Sequence, residues 1–286
     1  MDLVALAVGH VTLDRSGEEL LPGGSAWYAA HAYRALGARA RLATAAGPDL
    51  PPGALHGLEA EVAVAERTTR FVNAYSPEGR RAQRVEAAAP PLDPRALPGP
   101  WRAPDVLHLA PVLGEVDLAA FVSAAPARVV GIGVQGWVRA VRANEVIQPR
   151  WEIDPDALRG VTAAIVGEDD LRGQGDLVAR LAAAVPLVVL TLGARGCELI
   201  ERGRARRVGV FATREVDPTG AGDVFSAGLL LGLARGMGAA KAACLGAAAA
   251  SVIVEGRGGA ALPRLAEAWE RARKIHVEAG SRGPGR

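Results

Sequence analysis

Short apolar runs that end near glycine alternate along this chain with stretches of helical periodicity. Residues 3–9 (LVALAVG) are continuously apolar, the pattern of a strand buried on both faces. Similar runs at 40–47, 105–111, 127–133, 163–167 and 187–193 predict five more strands. Between or after them, residues 23–38 carry Ala26, Tyr28, Ala29, Ala32, Tyr33 and Leu36 near helical spacing, with Gly37 as a stop. Further helices are expected around 116–125, 169–184, 239–254 and 262–277. Another begins at Asp223 and runs to Gly236 or Gly238. Buried strands alternating with helices predict an α/β fold: a central, mostly parallel sheet with helices on both faces. Two segments do not suit such a layer. Residues 68–89 alternate at Phe71, Asn73 and Tyr75, turn at Pro77-Glu78-Gly79 and resume, which predicts a hairpin. The polar segment 10–24 could pair with it, so both are expected to project as a small accessory sheet. Residues 87–104 are proline-rich and read as a connecting loop, and 279–286 should fray.

Composition narrows this picture only a little. The 286 residues suit one large α/β domain spanning 1–286, with half the residues hydrophobic and so ample core. Charged residues make up 22% with a formal net of +2, which argues against nucleic acid as the main partner. Cys197 and Cys244 stand far apart without CxxC or paired histidines, so a disulfide framework or structural zinc is not expected. The N-terminus has Asp2 and no basic region before an apolar core, and no uncharged apolar stretch reaches a membrane span. A cytoplasmic protein without membrane contact is the expectation.

The chemistry concentrates in EVDPTGAGDVFSAGLLLGLARG, residues 215–236. Two aspartates bracket Pro-Thr-Gly-Ala-Gly, and a mostly apolar helix follows at once. Small residues at a helix N-terminus leave backbone N–H groups free to face an anion. A carboxylate at Asp223, beside that anion site, suggests proton transfer. Other nucleotide signatures are weaker. Neither Lys241 nor Lys274 follows a Walker A loop, and GIGVQG (131–136) matches GxGxxG after a strand without a clear helix behind it.

The stretch Asp217-Pro218-Thr219-Gly220-Ala221-Gly222-Asp223 resembles the DTGAGD signature of the PfkB/ribokinase family of carbohydrate kinases. Other segments follow in that family's order along nearly the whole chain. VGHVTLDR (8–15) resembles its first strand and substrate aspartate, at Asp14. PGGSAWYAAHAYRALGA resembles its Gly-Gly signature, at Gly23 and Gly24. LTLGARGCEL (190–199) is similar to its nucleotide loop, giving Thr191, Gly193, Arg195 and Gly196. VGEDDL (166–171) stands where the family has Asn-x-x-Glu, a segment linked to magnesium and phosphates.

The resemblance implies a ribokinase-like fold with a β lid made from 10–24 and 68–89, ATP and Mg2+ as cofactors, and phosphoryl transfer to a substrate hydroxyl. Asp223 would be the general base, and Gly220, Ala221 and Gly222 the anion hole. Asp217 and Thr219 would help hold the nucleotide, and Asp170 the metal. Asp14, Gly23, Gly24, Tyr28, Asn73, Gln135 and Arg139 are the candidates for substrate contact. Three positions depart from the family pattern: Tyr28 replaces an asparagine, Gly133 an aspartate, and Gly167-Glu168-Asp169-Asp170 the Asn-x-x-Glu. The acceptor is accordingly read as a sugar, sugar phosphate or cyclic polyol. A nucleoside or vitamin-alcohol kinase and a non-catalytic nucleotide-binding regulator are the alternatives. The lid's edges offer a route to a homodimer.

Overall fold

The computed structural model describes residues 3–16, 19–75, 81–152, 154–278 and 281–282. The first eight strands are β1 (Val4–Val8), β2 (Thr12–Ser16), β3 (Glu19–Gly23), β4 (Arg39–Ala46), β5 (Glu59–Val64), β6 (Thr69–Tyr75), β7 (Arg81–Ala87) and β8 (Val106–Leu109). They are followed by β9 (Val129–Gly133), β10 (Ala140–Arg142), β11 (Glu145–Ile147), β12 (Ala163–Gly167), β13 (Leu187–Thr191), β14 (Cys197–Glu201), β15 (Arg204–Val208) and β16 (Ser281–Arg282). The helices are α1 (Ser25–Ala35), α2 (Leu118–Ala124), α3 (Leu177–Ala184), α4 (Ala221–Ala234), α5 (Ala239–Ile253) and α6 (Ala268–Arg271).

The strands β5-β4-β1-β8-β9-β12-β13 lie side by side and parallel. Beyond β13 the sheet continues antiparallel through β14, β15 and β16. Consecutive residues of the parallel strands enter opposite cores, because side chains alternate across a strand. Ala5 and Ala7 pack with α1, α4 and α5, whereas Leu6 and Val8 pack with α2 and α3. Both faces are therefore covered, which is why these strands read as unbroken apolar runs. No helix among the described residues is long and apolar enough to cross a membrane.

A second sheet, ordered β10-β11-β7-β6-β2-β3, stands apart from the first. It takes strands from both polar segments, and β2 and β6 run parallel within it. The turn at Pro77-Glu78-Gly79 lies outside the described residues. The β10–β11 hairpin was not anticipated, and it joins β7 with Glu145 opposite Arg84.

Several expected helices are shorter than their periodicity suggests. The stretch 169–184 starts as a 3-10 turn (Glu168–Leu171), and only Leu177–Ala184 is α-helical. Its middle contains Gly173 and Gly175, both at positive φ, which break the helix. The stretch 262–277 divides into 3-10 and α segments after Pro263.

Candidate active site

The site lies outside the carboxyl ends of the parallel strands, where the chain leaves β1, β8, β9, β12 and β13 on one edge of the sheet. The connection after β8 is pinned by Glu115, a buried residue that the sequence did not single out. Its carboxylate accepts backbone N–H groups from His10, Val112 and Leu113 at 2.8–3.0 Å. His10 itself is structural. Its Nε2 donates to the Pro90 carbonyl at 3.0 Å, so its Nδ1 accepts from the Thr69 hydroxyl at 2.9 Å.

Gly220 opens α4 in a left-handed conformation, φ 79°, and the Tyr28 ring lies flat enough against it that a Cβ would sit 2.6 Å away. Only glycine meets both demands. The turn before it is held by Asp217, whose two oxygens accept from the N–H groups of Thr219 at 2.9 Å and Gly258 at 2.8 Å. Burial pushes the Asp217 carboxyl up, but these hydrogen bonds and the Arg257 cation outweigh it and hold it below the usual carboxylate range. Asp217 thus organises the turn, a role that the nucleotide-contact expectation did not include. Of the three N–H groups expected to face an anion, that of Ala221 turns back to the Pro218 carbonyl at 3.1 Å. The first-turn N–H of Gly222 remains outside the helix's own ladder.

Asp223 lies in that first turn. Burial pushes its carboxyl up to about 6, opposed by a hydrogen bond from Ser25 and the nearby Arg139 guanidinium. The charges of Asp170 and Asp14 add to the rise. Asp14, on β2, is close enough to Gly23 that a Cβ there would sit 2.6 Å from its Oδ2, and Thr12 donates to its Oδ1 at 3.3 Å. Gly24, at φ 97°, brings the backbone against the His10 carbonyl before α1 begins. Tyr28 is buried, and its phenol is held well above its ordinary pKa by burial and by Asp14, Asp223 and Asp217, so it stays a neutral donor.

The structure therefore brings together Asp14, Gly23, Gly24, Tyr28, Arg139, Asp170, Gly220 and Asp223. Gln135 lies on the turn after β9, half-buried. Asn73 is on β6, opposite Gln83. Phe71, aligned with Asp14 across β2 and β6, packs with Val85 and Val112, and Leu113 and Val146 join them. This small apolar cluster ties the second sheet to the connection after β8.

On the other side of the α4 N-terminus is a cavity of about 410 Å³. Thr191, Gly193, Gly196, Ala221 and Gly222 line the near end, and Val210, Phe211, Phe225 and Val254 supply apolar walls. Behind it, Arg271 lies over the Phe211 ring at 5.0 Å and pairs with Glu255 at 2.7 Å, so that wall is preformed. Arg195, Asp217 and Thr219 are not among the lining residues. Arg195 instead pairs with both oxygens of Glu168 at 2.6 Å, an exposed contact across the cleft's mouth.

Asp170 is buried, and its Oδ2 accepts from the Gly167 N–H at 2.9 Å, so it secures its own turn. Burial pushes its carboxyl up, against that hydrogen bond and Arg139. Among the described residues, no three His, Cys, Asp or Glu side chains converge as a metal cage.

A parallel sheet covered on both faces, a second sheet beside its carboxyl edge and a glycine-rich helix start define a ribokinase-like architecture. The chain aligns with a pyrophosphate-dependent kinase of the ribokinase family, solved with a pyrophosphate analog and myo-inositol, at TM-score 0.78 over 94% of this chain and 100% of that one. It aligns with Arabidopsis thaliana ribokinase, solved with ribose and ATP, at TM-score 0.68 over 96% and 99%. Sequence identities are 20% and 16%, so these likenesses speak for the fold. Residues 156–265 match the family model described as pfkB family carbohydrate kinase, which bears out the resemblance read from the Asp217–Asp223 motif. The inositol 3-kinase of Arabidopsis thaliana is 43% identical over 68 residues, covering 24% of this chain. That match spans 19% of the plant enzyme's length.

Proposed function

We propose that this protein is a kinase that transfers the terminal phosphoryl group of ATP to a hydroxyl of a cyclic polyol of the inositol type. The observation that carries the reading is the placement of Asp223. It lies at the start of α4, with Asp14 and Tyr28 on one side and the 410 Å³ cavity on the other. In-line transfer needs a hydroxyl, a base and a donor phosphate in that order, with charge neutralised along the path. The Gly222 N–H and the dipole of α4 would face the phosphoryl oxygens, and Arg139 would add a cation beside them. Magnesium bound with the nucleotide would neutralise the donor phosphates. Asp223 would accept the hydroxyl proton.

The acceptor class follows from the chamber's character. Asp14 and Asp223 suit hydroxyl groups, while Tyr28 and the Phe71 cluster suit the C–H face of a ring. Three or more carboxylates near one arginine are a poor setting for a phosphorylated acceptor, which favours a neutral polyol over a sugar phosphate. The match to plant inositol 3-kinase supports the same choice. The apolar cavity beyond Gly222 favours a nucleotide base over bare pyrophosphate as the remainder of the donor. The second sheet would act as a lid on the acceptor, and its outer strands β3 and β10 are the edges through which a homodimer would form.

A phosphotransfer screen tests this directly, with ATP, GTP and pyrophosphate as donors and inositols, ribose, other sugars and nucleosides as acceptors. The expected result is turnover with ATP and an inositol, and poor use of ribose. Asp223→Asn should lower kcat by about 10²-fold or more with little change in nucleotide affinity. Pyrophosphate as the better donor, or a nucleoside as the better acceptor, would replace the corresponding half of the reading. A kcat within a few-fold of wild type in Asp223→Asn would end the general-base assignment.

A further inference from the structure

Glu115 is a buried carboxylate outside the reaction path, and the second sheet is fastened to it by two routes. Its Oε1 accepts the His10 N–H at 2.9 Å, and its Oε2 accepts the Leu113 N–H at 2.8 Å. The Val112 N–H lies between them, 2.9 and 3.0 Å from the two oxygens. The first route is polar and runs through His10. Its ring accepts the Thr69 hydroxyl at 2.9 Å, and the Thr69 oxygen in turn accepts the Ala89 N–H at 3.0 Å. His10 thus fastens both the start of β6 and the chain just past the end of β7. The second route is apolar. Val112 packs with Phe71 of β6 and Val85 of β7, and Leu113 joins them.

Both routes reach β6, at residues two apart. Thr69 and Phe71 therefore share one face of that strand. In the parallel register of β6 with β2 they stand beside Thr12 and Asp14. Aligned residues of neighbouring strands project to the same side of a sheet, so Asp14 lies on the face that Glu115 secures. Thr12 also donates to the Asp14 Oδ1 at 3.3 Å. Contacts thus run without a break from Glu115, through β6, to the aspartate on β2.

We propose that Glu115 is a positioning residue for Asp14: by holding β6 at two points, its carboxylate sets where the Asp14 side chain stands in the acceptor site. The contacts do not depend on the proposed activity; their effect on catalysis rests on the kinase reading. A carboxylate offers an acceptor at both of its oxygens. In Glu115→Gln one of these atoms becomes an NH2 donor, so either the His10 N–H or the 112–113 turn loses its partner. A buried N–H without a partner is costly, and lifting the second sheet would let water reach it.

The test begins with hydrogen–deuterium exchange of the full chain without ligand, for wild type, Glu115→Gln, Thr69→Val and Val112→Ala. The last two keep Glu115 and weaken one route each, so they carry the test if Glu115→Gln does not fold. Amides of β2 and β6 should exchange about tenfold faster in Glu115→Gln and about threefold faster in each route variant. If Glu115 only pinned the connection after β8, openings of the second sheet would leave its contacts intact. Unchanged rates in β2 and β6 would therefore overturn the proposal. Kinetics give the second readout. Glu115→Gln should raise the acceptor KM about tenfold, with kcat and the donor KM near wild type. Added to Asp14→Asn it should cost nothing further, because both changes act on one contact. An unchanged acceptor KM, or full additivity with Asp14→Asn, would also overturn the proposal. A protein inactive on every acceptor would remove the kinase reading, and the hold of Glu115 on Asp14 would still stand or fall on the exchange of β2 and β6.

Discussion

A Cβ placed on Gly222 would meet no protein atom within 4 Å, although the residue sits in the first turn of α4 beside Asp223. Packing gives no reason for glycine here, and an exposed helical Gly→Ala change gains about 1 kcal/mol of helix propensity. Gly222→Ala should therefore raise Tm slightly. If donor phosphates pass over this backbone, the same methyl should lower kcat/KM by about 10²-fold, on the scale of losing one anion-hole contact. Stability measured beside kinetics separates the two effects, and unchanged kinetics would mean that the phosphates travel elsewhere. Asp223 gives the companion pH prediction. Its carboxyl, raised to about 6, must be ionised to act as base, so kcat/KM should halve near pH 6 and keep falling below it. The stability sign is the reverse. The folded state favours the protonated form, so the charge is a burden at pH 7 that starts to ease near pH 6 and is gone only below the ordinary carboxylate range. Asp223→Asn should accordingly be no less stable than wild type at pH 7.

At the scale of elements, α4 and α5 come close because glycine faces glycine. A Cβ on Gly246 would lie 2.6 Å from the Phe225 carbonyl, and one on Gly228 would lie 2.9 Å from the Gly246 Cα. Gly246→Val should force the helices apart at a cost of about 1–3 kcal/mol. Because Ala247 and Ala250 line the large cavity, the donor KM should rise as well. Urea unfolding and donor titration check the two halves. The sequence showed these elements unevenly, and for physical reasons. The strands β1, β4, β8, β9, β12 and β13 are buried on both faces and so appear as apolar runs. The short, partly exposed strands β10 and β11 gave no such run, and their turn depends on Ala143 and Asn144 at positive φ. The Asp217–Asp223 motif was legible because glycine and aspartate at this spacing leave little room for another reading. Glu115 was not, since its role arises only when the connection after β8 meets His10.

At the scale of the whole molecule, one buried side chain should make the fold sensitive to acid. His108, on β8, is fully buried between Tyr33 and its neighbouring strands, and the Tyr33 hydroxyl lies 3.2 Å from its Nδ1. Burial pushes the imidazole down to about 3. A depressed histidine is neutral in the folded state, whereas the unfolded chain takes up a proton below about 6.5. Stability from this group is intact above that pH and is lost progressively as pH falls towards 3. Between pH 7 and 5 the loss should be about 2 kcal/mol from this residue alone. His108→Gln, compared with wild type by urea unfolding at both values, should show a flatter dependence despite lower stability at pH 7. An identical slope would mean that His108 does not carry it.

The second sheet is assembled from three separate excursions of the chain. The β2–β3 pair leaves after β1, the β6–β7 pair lies between β5 and β8, and the β10–β11 pair lies between β9 and β12. No one excursion can bury its apolar face until the parallel strands that launch it are in place, so this sheet must close last and open first. Its amide protons should exchange with solvent through sub-global openings, on a shorter timescale than those of β1, β8 and β12, which exchange only when the whole molecule unfolds. In hydrogen–deuterium exchange, peptides covering β2, β6 and β11 should take up label together, as one cooperative unit, although they are far apart in sequence. A saturating acceptor should slow all three at once and leave the parallel strands unchanged.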